Sequence, residues 1–171
     1  MFYKAKLASV LTVTLLALYG CGDETSPADQ DPTDGQDSTN TEETFVSLCA
    51  STPDIDDYSP DLVRTGDQFK LTLVSAAPAP WDVGDNIWTL KVEDLQGNAV
   101  EDALIRVTPY MPDHGHGVSP PYYAGVTQGS GGLYDIETFN LIMPGFWEMT
   151  VEVSASGTSG EAIAFRICVE G

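Results

Sequence analysis

Apolar residues recur at every second position in this chain, in short runs broken by proline and glycine. Phe69, Leu71 and Leu73 form one such set, and Trp88, Leu90 and Val92 a second. Ala103, Ile105 and Val107 follow, then Tyr134 and Ile136 against Asp135 and Glu137. Trp147, Met149, Val151 and Val153 alternate with Glu148, Thr150 and Glu152, and Ile163, Phe165, Ile167 and Val169 with Ala164 and Arg166. A period of two places one face of each run on a core and the other in water, which is the pattern of half-buried strands. No run shows the 3.6-residue period of a helix. Turn signals separate the runs at Gln96-Gly97-Asn98, Ser130-Gly131-Gly132 and Ser156-Gly157. The reading is an all-β domain of six or seven strands, an immunoglobulin-like antiparallel β-sandwich, with a closed barrel as the alternative.

The strands occupy the C-terminal part only. Residues 1–20 carry a basic head, Lys4 and Lys6, and then an apolar run ending in Leu18-Tyr19-Gly20-Cys21. That run is short for a permanent span and resembles a bacterial lipoprotein signal peptide. The resemblance implies cleavage before Cys21 and lipidation of Cys21. An ordinary secretory signal or an uncleaved anchor is the alternative. Residues 21–44 follow as a linker with eight acidic residues and no basic one. Such a segment buries too little apolar surface to offset its ordering entropy, and its charges extend it. The linker is expected to hold the folded domain, residues 45–171, off a membrane.

Formal net charge is −19. With so few basic residues, no patch is available to neutralise phosphate, so nucleic acid is excluded as a partner. Attraction to anionic lipid headgroups is excluded for the same reason. Membrane attachment is expected through the N-terminal lipid. The expected location is the bacterial cell envelope, with the outer membrane as the default address, facing the periplasm or the cell surface.

Two cysteines remain beyond Cys21. Cys49 lies at the start of the folded part and Cys168 near its end. In an exported domain this placement predicts a disulfide joining the first and last segments; two buried free thiols are the alternative.

The chemistry-bearing stretch is Met111-Pro112-Asp113-His114-Gly115-His116-Gly117. It holds both histidines of the chain, two residues apart. Met143-Pro144-Gly145 supplies a second methionine before a proline. A residue before proline is driven to an extended or turn conformation, so both methionines belong at strand ends or in loops. Imidazole with thioether suits copper better than a hard cation. Met111, His114, His116 and Met143 are the candidate metal ligands, and copper is the candidate cofactor. In the competing reading the methionines are strand-end core residues and the histidine loop is structural. Asp113 is either an acceptor orienting an imidazole or a solvated turn residue. Trp81, Trp88 and Trp147 are expected as core anchors. Tyr110, Tyr122 and Tyr123 flank the histidine loop, as pocket walls or as a cap on the domain end.

No serine sits in a nucleophile elbow, and no acid–base pair has suggestive spacing. No catalytic residue is assigned, and the chain is read as a binding or interaction module and not an enzyme.

The order of motifs resembles the YtkA-like domain, which is related to the FixH proteins. The residues that carry the resemblance are Pro78-Ala79-Pro80-Trp81, Gly84-Asp85-Asn86-Ile87-Trp88, the Met111–Gly117 stretch, Gly132-Leu133-Tyr134 and Met143-Pro144-Gly145-Phe146-Trp147. It covers roughly residues 65 to 169. It implies an immunoglobulin-like sandwich in the bacterial envelope, in a family whose relatives lie near copper handling or oxidase assembly. FixH proteins proper carry a transmembrane helix. Outside the leader this chain has no segment long and apolar enough for one, which sets a direct oxidase-assembly role apart from it. The chain is therefore expected either to bind copper or to dock on an envelope protein.

Overall fold

The computed structural model describes residues 46–171. The segments expected from sequence as a signal peptide (1–20), a lipidated Cys21 and a linker (21–44) lie outside the described residues. Among the described residues there is no helix. Ten strands follow in chain order: β1 Leu62–Thr65, β2 Phe69–Ala77, β3 Gly84–Asp94, β4 Leu104–Met111, β5 His116–Gly117, β6 Tyr123–Thr127, β7 Leu133–Ile136, β8 Phe139–Leu141, β9 Gly145–Ala155 and β10 Thr158–Val169. Every pairing is antiparallel. The all-β antiparallel class expected from the alternation is the class the chain adopts.

The strand order is β1-β2-β3-β7-β6-β4-β9-β10, with β8 added to β3 and β5 to β4. Strand β6 joins the two halves of this path. Its first residues, Tyr123 and Ala124, pair with β4. Its last, Gly125 to Thr127, pair with β7. The chain crosses from one layer to the other at Gly125, where a Cβ would stand 2.8 Å from the Cβ of Ile105. Only glycine permits that approach.

The core fills the space between the layers with the predicted faces. Phe69, Leu71 and Leu73 of β2, Trp88, Leu90 and Val92 of β3, and Ile105 and Val107 of β4 are buried. So are Met149, Val151 and Val153 of β9 and Ile163, Phe165, Ile167 and Val169 of β10. Trp88 is the cross-layer anchor. Its ring meets Phe165 edge-on at 5.7 Å and Phe139 at 5.4 Å. Trp81 and Trp147 are buried as well, so all three tryptophans serve as core anchors.

The run at 132–139 is not one strand. Thr89 pairs with Asp135, but Asn86 pairs with Phe139 and not with Thr138, a one-residue change of register along β3. Buried positions therefore switch from Tyr134 and Ile136 to Phe139 and Leu141. An extra residue in one strand of a pair shifts the side-chain parity beyond it.

The outer edge of β10 forms no ladder with β1. Side chains and loop backbone cover it instead. Asp56 donates its amide to Arg166 O at 2.6 Å and accepts the Arg166 amide at 2.8 Å. Trp81 donates its indole N–H to Cys168 O at 2.7 Å. The predicted disulfide is present: Cys49 and Cys168 are joined with their Cα atoms 5.9 Å apart. It fastens residue 49 beside this same edge.

Candidate functional site

The end of β4 and the beginning of β9 lie side by side. Pro109 pairs with Met149 and Tyr110 with Glu148, which carries Met111 alongside Trp147. Two turns therefore meet at one end of the domain: 112–115, between β4 and β5, and 142–144, between β8 and β9.

The first turn is tight. The amides of His114 and Gly115 both donate to Met111 O, at 3.2 and 2.9 Å. Gly115 takes φ +70°, a conformation glycine adopts without steric cost. The turn folds back so that His116 pairs with Met111. His114 is exposed at the tip and His116 is half-buried. Their ring centroids are 5.8 Å apart.

His116 is oriented by its own backbone and by Trp147. Its Nδ1 lies 3.0 Å from Gly117 O. A carbonyl oxygen only accepts, so Nδ1 carries the proton and the Nε2 lone pair is left for another partner. The His116 ring stands edge-on to Trp147 at 6.5 Å. Trp147 is itself fixed, because its indole N–H donates to Met143 O at 3.1 Å.

The methionines lie deeper. Met111 is fully buried in the core. A Cβ on Gly145 would stand 2.9 Å from Met111 Cε, so the Met111 methyl fills the space that glycine leaves. Met143 is half-buried and packs against the core. The fold thus brings the two loops together, pairs the imidazoles at the surface, and sets both thioethers against the apolar interior. Among the described residues, no group of three or more His, Cys, Asp and Glu converges to hold a metal. Further ligands for an ion at the histidines would be a thioether, a solvent molecule or a group brought by a partner.

The flanking residues divide. Asp113 is exposed in the turn. Tyr123 is buried in the core, while Tyr110 and Tyr122 are exposed. Tyr122 stacks under the guanidinium of Arg106 at 4.2 Å, an arrangement the sequence reading did not anticipate. The three tyrosines therefore do not form one wall around the histidine loop. Gly145 is visible in sequence only as part of the Met143-Pro144-Gly145 motif; its contact with Met111 crosses from one strand to another and has no local signature.

The family model described as YtkA-like matches residues 64–152, more than half of the chain. That span holds Met111, His114, His116 and Met143. No curated protein matches the chain. Among solved structures, it is similar to a DUF4426 family protein from Pseudomonas aeruginosa PAO1, at 11% identity and a TM-score of 0.46, over 63% of this chain and 96% of that one. On the family match, this chain belongs to the YtkA-like family.

Proposed function

We propose that this YtkA-like protein is an envelope lipoprotein, anchored through Cys21, whose His114–His116 loop binds a copper ion without catalysing a reaction. The observation that carries the reading is the pair of imidazoles at 5.8 Å with His116 Nδ1 directed at Gly117 O. A metal-to-nitrogen bond is about 2.0–2.1 Å, so two rings sharing one ion have centroids at most about 6.3 Å apart. The spacing of His114 and His116 falls within that limit. A backbone carbonyl holding the far ring nitrogen is the usual support for a ligating imidazole. Met143, half-buried in the adjoining turn, is the soft donor that would favour Cu(I) over zinc, and the fully buried Met111 would join it only by turning its thioether out of the core.

The test is a copper titration of the purified chain, followed by Trp147 fluorescence and by spectroscopy of the bound ion. One ion per chain is expected, with affinity falling on acidification because protonated imidazole cannot ligate. The variant carrying both His114→Ala and His116→Ala is expected to lose the site while keeping its fold. Equal copper uptake by wild type and that double variant would overturn the reading. The second reading is then a non-catalytic module docking on an envelope protein, favoured by the complete burial of Met111 and, among the described residues, the lack of a third converging His, Cys or carboxylate.

The anchor rests on residues 18–21 and is tested separately. A Cys21→Ser chain is expected to leave the membrane fraction or to remain unprocessed. Normal cleavage with full membrane retention would exclude the lipid.

A further inference from the structure

A groove of about 730 Å³ lies beside the disulfide, where residues 57–58, the loop at 78–82 and the C-terminal residues meet. We propose that this groove receives an arginine side chain presented by a partner polypeptide. The inference is independent of the copper reading.

Three observations carry it. The first is charge. Asp57, Asp82 and Glu170 line the groove, and no Lys or Arg does. Residues 46–171 contain five basic side chains against eighteen acidic ones. Asp56 also lines the groove and is neutralised by Arg64, while the other four basic side chains pair away from it: Lys70 and Lys91 with Glu93, Arg106 with Glu152, and Arg166 with Asp54. Among the described residues, none pairs with Asp57, Asp82 or Glu170. Glu170 is partly engaged, accepting from Ser47 Oγ and the Leu48 amide, and Asp82 accepts the Val83 amide. Asp57, Asp82 and Glu170 thus line the groove without an ion-pair partner among the described residues.

The second is the wall chemistry. Tyr58, Pro78 and Pro80 supply apolar sides. An arginine buries its methylene stem on such a surface and keeps its head at the carboxylates, and a tyrosine ring is a stacking face for a guanidinium. Arg106 on Tyr122 displays that contact within the chain itself.

The third is rigidity. Tyr58 packs edge-on against Trp81 at 5.3 Å, Trp81 is tied to Cys168 O, and Cys168 is bonded to Cys49. A preformed wall lowers the ordering cost of binding.

The test uses the purified chain and a short capped peptide with one arginine between apolar residues. The control peptide carries citrulline, which keeps the shape and removes the charge. Binding is read by titration calorimetry and by the NMR signal of the Trp81 indole N–H. The arginine peptide is expected to bind at least about ten-fold tighter than the citrulline peptide and to move the Trp81 signal. The Asp57→Asn and Asp82→Asn pair of substitutions should abolish the difference. The Asp34→Asn and Asp37→Asn pair in the acidic linker should preserve it. Equal binding of the two peptides overturns the proposal. So does a loss that follows the linker pair, or displacement of the peptide by one equivalent of calcium, which would make the groove a cation site.

Discussion

The carboxylate of Glu161 on β10 accepts the backbone amide of Phe69, the first residue of β2, at 2.6 Å. It also takes the amides of Asp67 and Gln68, so one side chain serves three donors at a strand entry. The contact spans the gap where β1 and β10 form no ladder. Hydrogen bonds to a charged acceptor contribute about 1.5–3 kcal/mol in total effect when lost. Glu161→Ala is expected to destabilise the domain by about that amount, with Glu161→Gln in between. Denaturant unfolding of the three proteins checks the order.

The disulfide closes a separation of 119 residues. For loops of this length the chain-entropy model gives up to about 5 kcal/mol, and removal of native disulfides from small exported domains costs about 2–5 kcal/mol. A Cys49→Ala/Cys168→Ala chain should unfold at correspondingly lower guanidinium concentration. The native chain should be two hydrogens lighter than its reduced form by intact mass. Two alkylatable thiols at Cys49 and Cys168 without prior reduction would contradict the bond.

Gly145 and Met111 share a space that holds one of their side-chain atoms and not both. Gly145 also takes φ +128°, a region that L side chains rarely adopt. Gly145→Ala is therefore expected to cost about 1–3 kcal/mol through strain and overpacking. Met111→Leu, which keeps volume without the thioether, should cost under about 1.5 kcal/mol. Thermal melts rank the two. A copper titration of Met111→Leu then reports the contribution of the sulfur separately from that of the packing.

Glu93 is nearly buried and lies between Lys70 at 2.7 Å and Lys91 at 2.9 Å. Hydrogen bonds from Lys70 and then Lys91 hold its carboxyl below the ordinary value of 4.5. A lowered folded-state value means that the charged form is favoured in the fold. Its stabilisation is fully present above 4.5 and is lost as pH falls through the lowered value. Glu93→Gln should reduce stability at neutral pH and flatten the acid limb of the stability profile. Parallel limbs for wild type and variant would remove Glu93 as a source of the acid sensitivity.

Strand faces were legible wherever the alternation ran unbroken, as in Trp88-Leu90-Val92 and Ile163 to Val169. Strands β1, β5 and β6 were not. Leu62–Thr65 is short and half-exposed, His116–Gly117 is only two residues, and Tyr123–Thr127 carries glycine at its centre. None has enough alternating positions to stand out from a loop. The two histidines were visible as a pair because they are neighbours in sequence. The Trp147 ring beside His116 and the groove between Asp57 and Asp82 were invisible, because their partners come from distant strands.

The sequence by itself determined the secondary structure class, the buried face of the long strands and the residues that pair as a disulfide. The first two depend on side-chain type at a local period, which water sorts without reference to the rest of the chain; the third follows from only two cysteines remaining beyond Cys21, one near each end of the domain. Only the tertiary structure decided the register change between β7 and β8, the crossing of β6 at Gly125, the covering of the β10 edge by Asp56 and Trp81, the reach of Glu161 to the amides of residues 67–69, and the meeting of the Met111 and Met143 turns. Each of these follows from which strand lies beside which. That choice is made by packing and hydrogen bonding between segments tens of residues apart, for which a local pattern carries no signal.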